Sequence, residues 1–193
     1  MDKLASNARP AKRRILLVED DAVTLDLLTH LIQHGGYVAE RAASGEAALE
    51  MIARQEPDLA LLDIVLPGMS GLELARRLQA ETTVPFMFLS GRNDMAVVRE
   101  ATEYGALGYL VKPFTLEQMI PAIEAALASG RETSMAVGLL MAKFQTDRNT
   151  AFEVLRDYAR STRRRLNDVA KTLLAAEETL NAIKPLITRE RIK

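Results

Sequence analysis

The chain has no cysteine and no tryptophan, only two histidines, and just four tyrosines and five phenylalanines among 193 residues. Without thiols there is no disulfide framework and no thiolate metal site, so a metal could be held only by oxygen or imidazole. His30 and His34 stand four apart in a helical pattern without metal-ligand neighbours. Zinc sites use three or four ligands, so both read as ordinary helix positions. No run of about 18 apolar residues is present, which excludes a helical membrane span and leaves no membrane partner. Residues 1–14 are polar and basic and lack the apolar core of a secretory signal, so the expected location is cytoplasmic.

A length of 193 residues fits one large domain or two small ones, and the charge distribution favours two. Residues 1–130 carry 12 Lys and Arg against 18 Asp and Glu, a net −6, whereas residues 131–193 carry 13 against 8, a net +5. An acidic module is therefore joined to one able to meet an anionic partner. The expected divisions are a flexible tail at 1–13, a first domain at 14–130 and a helical domain at 131–193.

Five short apolar segments read as strands: 15–18, 37–42, 59–62, 84–89 and 108–111. Each is followed by a helical pattern. Leu27, Leu28, Leu31 and Ile32 recur at helical spacing, as do Ala47, Ala48, Met51 and Ile52. Gly35 and Gly36 would end the first of these helices and Ser44 would cap the second. The alternation predicts an α/β fold, a doubly wound parallel sheet with helices on both faces. A fifth helix begins at Thr115 and is expected to stop at Ser129-Gly130. Strand signals vanish from Thr133 onward, and helical patterns at 135–144, 150–160 and about 163–180 predict a small all-α domain of three helices. Ala136, Gly138, Ala151, Ala159, Ala170, Met135 and Met141 are expected to pack between them.

The chemistry gathers where strands end. Val18-Glu19-Asp20-Asp21, Leu62-Asp63 and Val111-Lys112-Pro113 would bring acids and a lysine to the carboxyl edge of one parallel sheet, where such sheets bind ligands. Magnesium favours oxygen ligands, with one or two carboxylates, several waters and phosphate oxygens. Glu19, Asp20 and Asp63 supply that donor set, with Asp21 a weaker candidate. Asp63 could attack a phosphoryl group in line and become an acyl phosphate, while Lys112 neutralises the transferred charge. The Ser90 hydroxyl and the Gly91 N–H could donate to phosphoryl oxygens. The competing reading is structural: Lys112 pairs with Asp63, and Glu19 and Asp20 occupy a solvated turn.

Val18-Glu19-Asp20, Leu62-Asp63-Ile64-Val65-Leu66-Pro67-Gly68, Leu89-Ser90-Gly91 and Gly108-Tyr109-Leu110-Val111-Lys112-Pro113-Phe114 together resemble a response-regulator receiver domain over roughly residues 13–128. The resemblance implies a flavodoxin-like (βα)5 fold. It implies Mg2+ held by Glu19, Asp20, Asp63 and the Val65 carbonyl, and phosphate accepted by Asp63 from a histidine kinase. Ser90 and Tyr109 would be the switch pair, Lys112 the phosphoryl contact, and the bond before Pro113 cis. Phosphorylation would favour a homodimer through the surface of the fourth helix, fifth strand and fifth helix. Such a protein is a switch and not a turnover enzyme.

The C-terminal module carries Lys143, Arg148, Arg156, Arg160 and the run Arg163-Arg164-Arg165. Helical neighbours lie three or four apart, so Arg156, Arg160 and Arg163 or Arg164 could form a stripe, and guanidinium forks suit phosphates. A solvated basic face is the alternative. Residues 133–175 are similar to the ANTAR family of transcription antitermination regulators. That similarity implies binding to RNA stem-loops in nascent messenger RNA. Two departures accompany it: Val137 stands where the family usually has a basic residue, and no long helical coil is expected between Ala128 and Met135. A DNA-binding response regulator and a protein-interaction adaptor are the alternative readings.

Overall fold

The computed structural model describes residues 12–91 and 105–190, with side chains as far as 185. Five parallel strands form one sheet: β1 (Arg14–Val18), β2 (Val38–Ala42), β3 (Leu59–Asp63), β4 (Phe86–Ser90) and β5 (Tyr109–Val111), in the order β2-β1-β3-β4-β5. Among the described residues three helices intervene, α1 (Ala22–His34), α2 (Gly45–Arg54) and α3 (Gly71–Glu81). Three more follow, α4 (Leu116–Phe144), α5 (Arg148–Ser161) and α6 (Leu166–Glu190). The expected doubly wound α/β architecture and three-helix C-terminal unit are both present. The segment 92–104, which would hold the fourth helix of the expected dimer surface, lies outside the described residues, as does most of the expected N-terminal tail.

Side-chain alternation along the strands builds two cores. Leu16, Val18, Ala60, Leu62, Phe86 and Phe88 face α2 and α3, with Leu74 and Leu78 packed on them. Ile15, Leu17, Leu59, Leu61, Met87 and Leu89 face the other way, against Leu28 and Ile32 of α1 and Met119 and Ile123 of α4. All five positions of β3 and of β4 are buried, as expected for central strands covered on both faces. Caps fix the helix starts: Ser44 accepts from the Ala47 N–H, and Ser70 and Glu73 form a reciprocal capping box on α3.

The expected stop at Ser129-Gly130 is overturned. α4 runs 29 residues without interruption, about 43 Å at 1.5 Å per residue. Glycine weakens a helix by roughly 1 kcal/mol against alanine, but here both ends of the helix are anchored. Met119, Ile123, Ala126 and Leu127 bury in the sheet core, while Ala136 and Val137 bury in the helical unit. Gly130 also lets the helix pass Pro85, since a Cβ there would lie 3.0 Å from Pro85 Cγ. The linker is thus a continuous helix, contrary to the missing coil expected between Ala128 and Met135.

The third core joins Ala136, Val137, Ala151, Phe152, Leu155, Ala159, Val169 and Ala170. Val137 is 1% exposed, so an apolar residue there serves packing and cannot meet RNA. Met135, expected inside, is 62% exposed. Gly138, expected at a close helix approach, has nothing within 4 Å of its would-be Cβ. Both sit on the side of α4 turned away from α5 and α6.

Candidate functional site

Three strand ends converge as the sequence suggested. Glu19 follows β1, fixed by its N–H donating to the Ala42 carbonyl at 3.1 Å. Asp63 closes β3 and is 5% exposed, and Glu19 is 1% exposed. Lys112 follows β5, its N–H donating to the Ser90 carbonyl at 2.8 Å, and the Lys112–Pro113 bond is cis. The Lys112 ammonium donates to Glu19 Oε2 at 2.6 Å and to Asp63 Oδ2 at 2.5 Å. Asp20 remains exposed. Carboxylate oxygens of Glu19, Asp20 and Asp63 lie within 4.8 Å of one another.

Two buried carboxylates and one ammonium settle the local electrostatics. Burial pushes Glu19 from an ordinary 4.5 up to about 7; the Lys112 hydrogen bond opposes the rise and the Asp63 charge adds to it. Burial works against the Lys112 charge as well, but the hydrogen bonds it donates to Asp63 and Glu19 outweigh it and raise its pKa. The cluster carries more negative charge than one lysine balances, which suits a further cation. Octahedral Mg2+ spans roughly 4 Å between opposite oxygens, so the donor set fits a small hard ion after slight contraction.

Ser90 Oγ is buried without a hydrogen-bond partner, at the end of the strand beside Asp63. Buried hydroxyls are nearly always paired, so this one has capacity for an oxygen brought to Asp63. Gly91 follows it at the same edge. The Val65 N–H donates to Asp63 Oδ1 at 3.1 Å, which orients the carboxylate and keeps the Val65 peptide beside it. Tyr109 pairs in register with Phe88 and is 45% exposed, so its ring lies outward and away from Ser90. Asp21 instead caps α1, accepting from the Thr24 N–H and hydroxyl. Those bonds lower its pKa. His30 and His34 stack 6.1 Å apart, and the one acid cluster with metal-ligand spacing among the described residues does not include them.

The basic residues have mixed placements. Arg156 Nη1 donates to the Gln79 carbonyl at 2.8 Å, and its side chain is only 13% exposed. Arg160 Nη2 donates to Gln79 Oε1 at 3.1 Å, and Arg148 Nη2 to Thr83 Oγ1 at 2.9 Å. Lys143 pairs with Glu177 across α4 and α6. Arg164 donates to the Asp168 carbonyl and the Thr172 hydroxyl. Arg163 and Arg165 line the cleft between the sheet unit and the helical unit. The stripe is therefore divided between that interface and the α5–α6 turn.

Sequence reasoning missed Gln79 and Thr83 as receivers of these arginines. One signal was present: α3 ends on Leu78-Gln79-Ala80-Glu81 with no basic residue in its last turn, leaving the negative end of its dipole without a local cation. Asp58 was also missed. It accepts from the Arg14 N–H at 2.8 Å and pairs with Arg13, tying down the start of β1.

A response regulator receiver domain model matches residues 15–124. The chain belongs to the response regulator receiver family. An ANTAR domain model matches residues 122–174, so the C-terminal unit is an ANTAR domain. Among curated relatives, the transcriptional regulatory protein PdtaR of Mycobacterium tuberculosis is 33% identical over 65% of this chain, which spans 62% of that relative's length. Response regulator MprA of Mycobacterium leprae is 33% identical over 93% of this chain and 77% of its own. A putative response regulator from Chloroflexus aurantiacus superposes with a TM-score of 0.59 at 32% identity, covering 61% of this chain and 98% of that one. NtrX from Brucella abortus gives 0.63 at 25% identity, covering 76% and 34%. No described helix is long and apolar enough to cross a membrane.

Proposed function

We propose that the protein is a phosphorylation-controlled switch of a two-component system in which Asp63 is the phosphoacceptor and the C-terminal ANTAR domain binds RNA stem-loops in transcription antitermination. The observation that carries the receiver half is the convergence of Glu19, Asp20, Asp63 and Lys112 beside the unpaired hydroxyl of Ser90. The RNA half is supported by the ANTAR match and the net +5 of the C-terminal segment.

Asp63 Oδ attacks the phosphorus of a phosphohistidine. The new P–O bond forms as the N–P bond breaks, and the leaving imidazole remains on the kinase. The Val65 N–H holds Asp63 in place for that attack. Lys112 then turns its ammonium from the carboxylate to a phosphoryl oxygen, Ser90 Oγ supplies a donor buried in advance, and the Gly91 N–H adds another. Glu19, Asp20, Asp63 and the Val65 carbonyl would hold Mg2+, which would neutralise charge on the phosphoryl oxygens when bound. Inward movement of Tyr109 accompanies that of Ser90, and a homodimer is favoured. Two linked ANTAR domains then meet two RNA loops at raised effective concentration. The cellular setting is the cytoplasm.

The RNA claim is tested by titrating phosphorylated protein with a two-hairpin leader RNA and with duplex DNA at several salt concentrations. Preference for the RNA is expected, with affinity falling as salt rises. Selective duplex binding would favour a DNA-binding regulator, and binding to neither would favour a protein adaptor.

A further inference from the structure

The edge of the sheet opposite the phosphoacceptor carries the reverse charge. Residues 1–130 are net −6, and Glu19, Asp20 and Asp63 gather at the carboxyl ends of the strands. At the amino ends lies a separate cleft of about 430 Å³, bounded by Lys12 and Arg13 where β1 begins, Asp58 before β3, Pro85 before β4, Arg131 on α4 and Arg148 on α5. It takes no part in the phosphoryl chemistry.

Cations outnumber acids on its walls. Arg14 also borders the cleft, but its guanidinium is held by Glu40, with Nε 2.6 Å from Oε1. Asp58 accepts from the Arg14 N–H at 2.8 Å and lies 3.4 Å from Arg13, and Glu56 is the other carboxylate on the wall. Against these two acids stand Lys12, Arg13, Arg131 and Arg148. Among the described residues the side chains of Lys12 and Arg131 make no ion pair or hydrogen bond, and Arg148 has only the neutral Thr83 hydroxyl at 2.9 Å. Like charges around a concave wall reinforce one another's field and draw in an anion.

The fold holds these cations in place. The Arg13 carbonyl accepts from the Val38 N–H at 2.9 Å, and the Arg14 carbonyl from the Asp58 N–H at 2.9 Å, which fixes the chain at the start of β1. α4 passes close to Pro85 at Gly130, where a Cβ would lie 3.0 Å from Pro85 Cγ, so Arg131, the next residue, is brought to the wall that Pro85 forms. Arg148 opens α5 and so belongs both to this cleft and to the basic surface of the ANTAR domain. We propose that the cleft is a phosphate track for RNA: Lys12 and Arg13 at the start of β1, with Arg131 on α4, prolong the ANTAR surface from Arg148 across the amino edge of the receiver sheet. This rests on the RNA function proposed above and adds the receiver edge as a second RNA contact. The cations come from three elements and not from one loop, an arrangement suited to successive phosphates of a chain. Contacts of this kind place the RNA without reading its sequence.

The test titrates phosphorylated full-length protein with the two-hairpin leader RNA, and with the same RNA carrying scrambled loops, at several salt concentrations. Lys12→Gln/Arg131→Gln removes two exposed cations, and circular dichroism checks the fold. Each lost phosphate contact releases fewer counterions, so the slope of log K against log salt should become shallower by about 1.4–1.8. Affinity near 0.1 M salt should fall about tenfold or more on both RNAs. Arg41→Gln/Arg77→Gln makes the same charge loss on β2 and α3, outside the cleft. It should leave the slope unchanged and weaken binding by less than about threefold. If wild type binds RNA but the two double variants behave alike, the track is overturned and the RNA function stands. A loss confined to the native loops would make these residues readers of sequence and also overturn it. If wild type binds neither RNA, the RNA function fails and the track fails with it. On wild type alone, acetylation of Lys12 by an N-hydroxysuccinimide ester, read by mass spectrometry, should slow when the RNA is bound. An unchanged rate would contradict the track.

Discussion

Replacing Glu19 by glutamine should remove a pH-dependent weakness from the fold. Glu19 is 1% exposed, and burial raises its pKa from 4.5 to about 7. In the unfolded chain the carboxyl ionises near its ordinary value, so between pH 4.5 and 7 the folded state binds more protons than the unfolded one. Stability therefore falls as pH rises through that window and levels off above about 7. The rise corresponds to about 3 kcal/mol at its limit, or roughly 6–12 °C in Tm for a chain of this size. Glu19→Gln cannot ionise, so in metal-free buffer its advantage over wild type should grow from pH 4.5 to 7 and then stay constant. The charged hydrogen bond to Lys112 exists only where Glu19 is ionised, and its opposition to the rise is already contained in the value of about 7, so the expected slope stands. Millimolar Mg2+ should stabilise wild type increasingly with pH and leave Glu19→Gln nearly unaffected. Denaturant melts of both proteins at half-unit pH steps make the comparison. Parallel stability curves from pH 4.5 to 8 would refute the buried-carboxylate argument.

Ser90→Ala should change the stability of the unphosphorylated protein by less than about 1 kcal/mol, because its buried oxygen has no partner to lose, yet shorten the lifetime of the acyl phosphate; chemical denaturation and a label-decay assay check the two halves. Gly71→Ala should be among the most damaging single changes, since its Cβ would fall 1.9 Å from the Asp63 carbonyl. A loss of about 3 kcal/mol or more, or failure to fold, is expected by urea melt. Phe152→Ala removes an aromatic ring from the helical core and should cost about 3–5 kcal/mol. Near-ultraviolet circular dichroism should show that loss, with Mg2+ binding at the receiver unaffected by titration calorimetry.

The receiver was legible because its signals reinforce one another. Alternating apolar residues fix both sheet faces, and the acids and lysine fall where strands must end, so Glu19, Asp63 and Lys112 needed only the parallel topology to be brought together. Asp21 was separable from its neighbours only in three dimensions, where Thr24 claims it as a cap. The helical half was harder to read. Ser129-Gly130 carries a local stop signal, but burial on both sides of it holds α4 continuous. Met135 and Gly138 have core-like identities and lie on an open side of α4. The partners of Arg156 are backbone carbonyls of a helix 77 residues away, and no side-chain pattern announces them. Only the missing cation at the end of α3 hinted that something would come to it.

The account stands on Asp63 being the group that takes phosphate in a divalent-cation site. Incubation of the full chain with a small-molecule phosphoryl donor, followed by borohydride trapping and peptide mass spectrometry, tests this directly, because reduction converts an aspartyl phosphate to homoserine. Conversion at Asp63 alone, present with Mg2+ and absent with chelator, is the predicted result. Trapping at another carboxylate, or equal trapping without divalent cation, would contradict it.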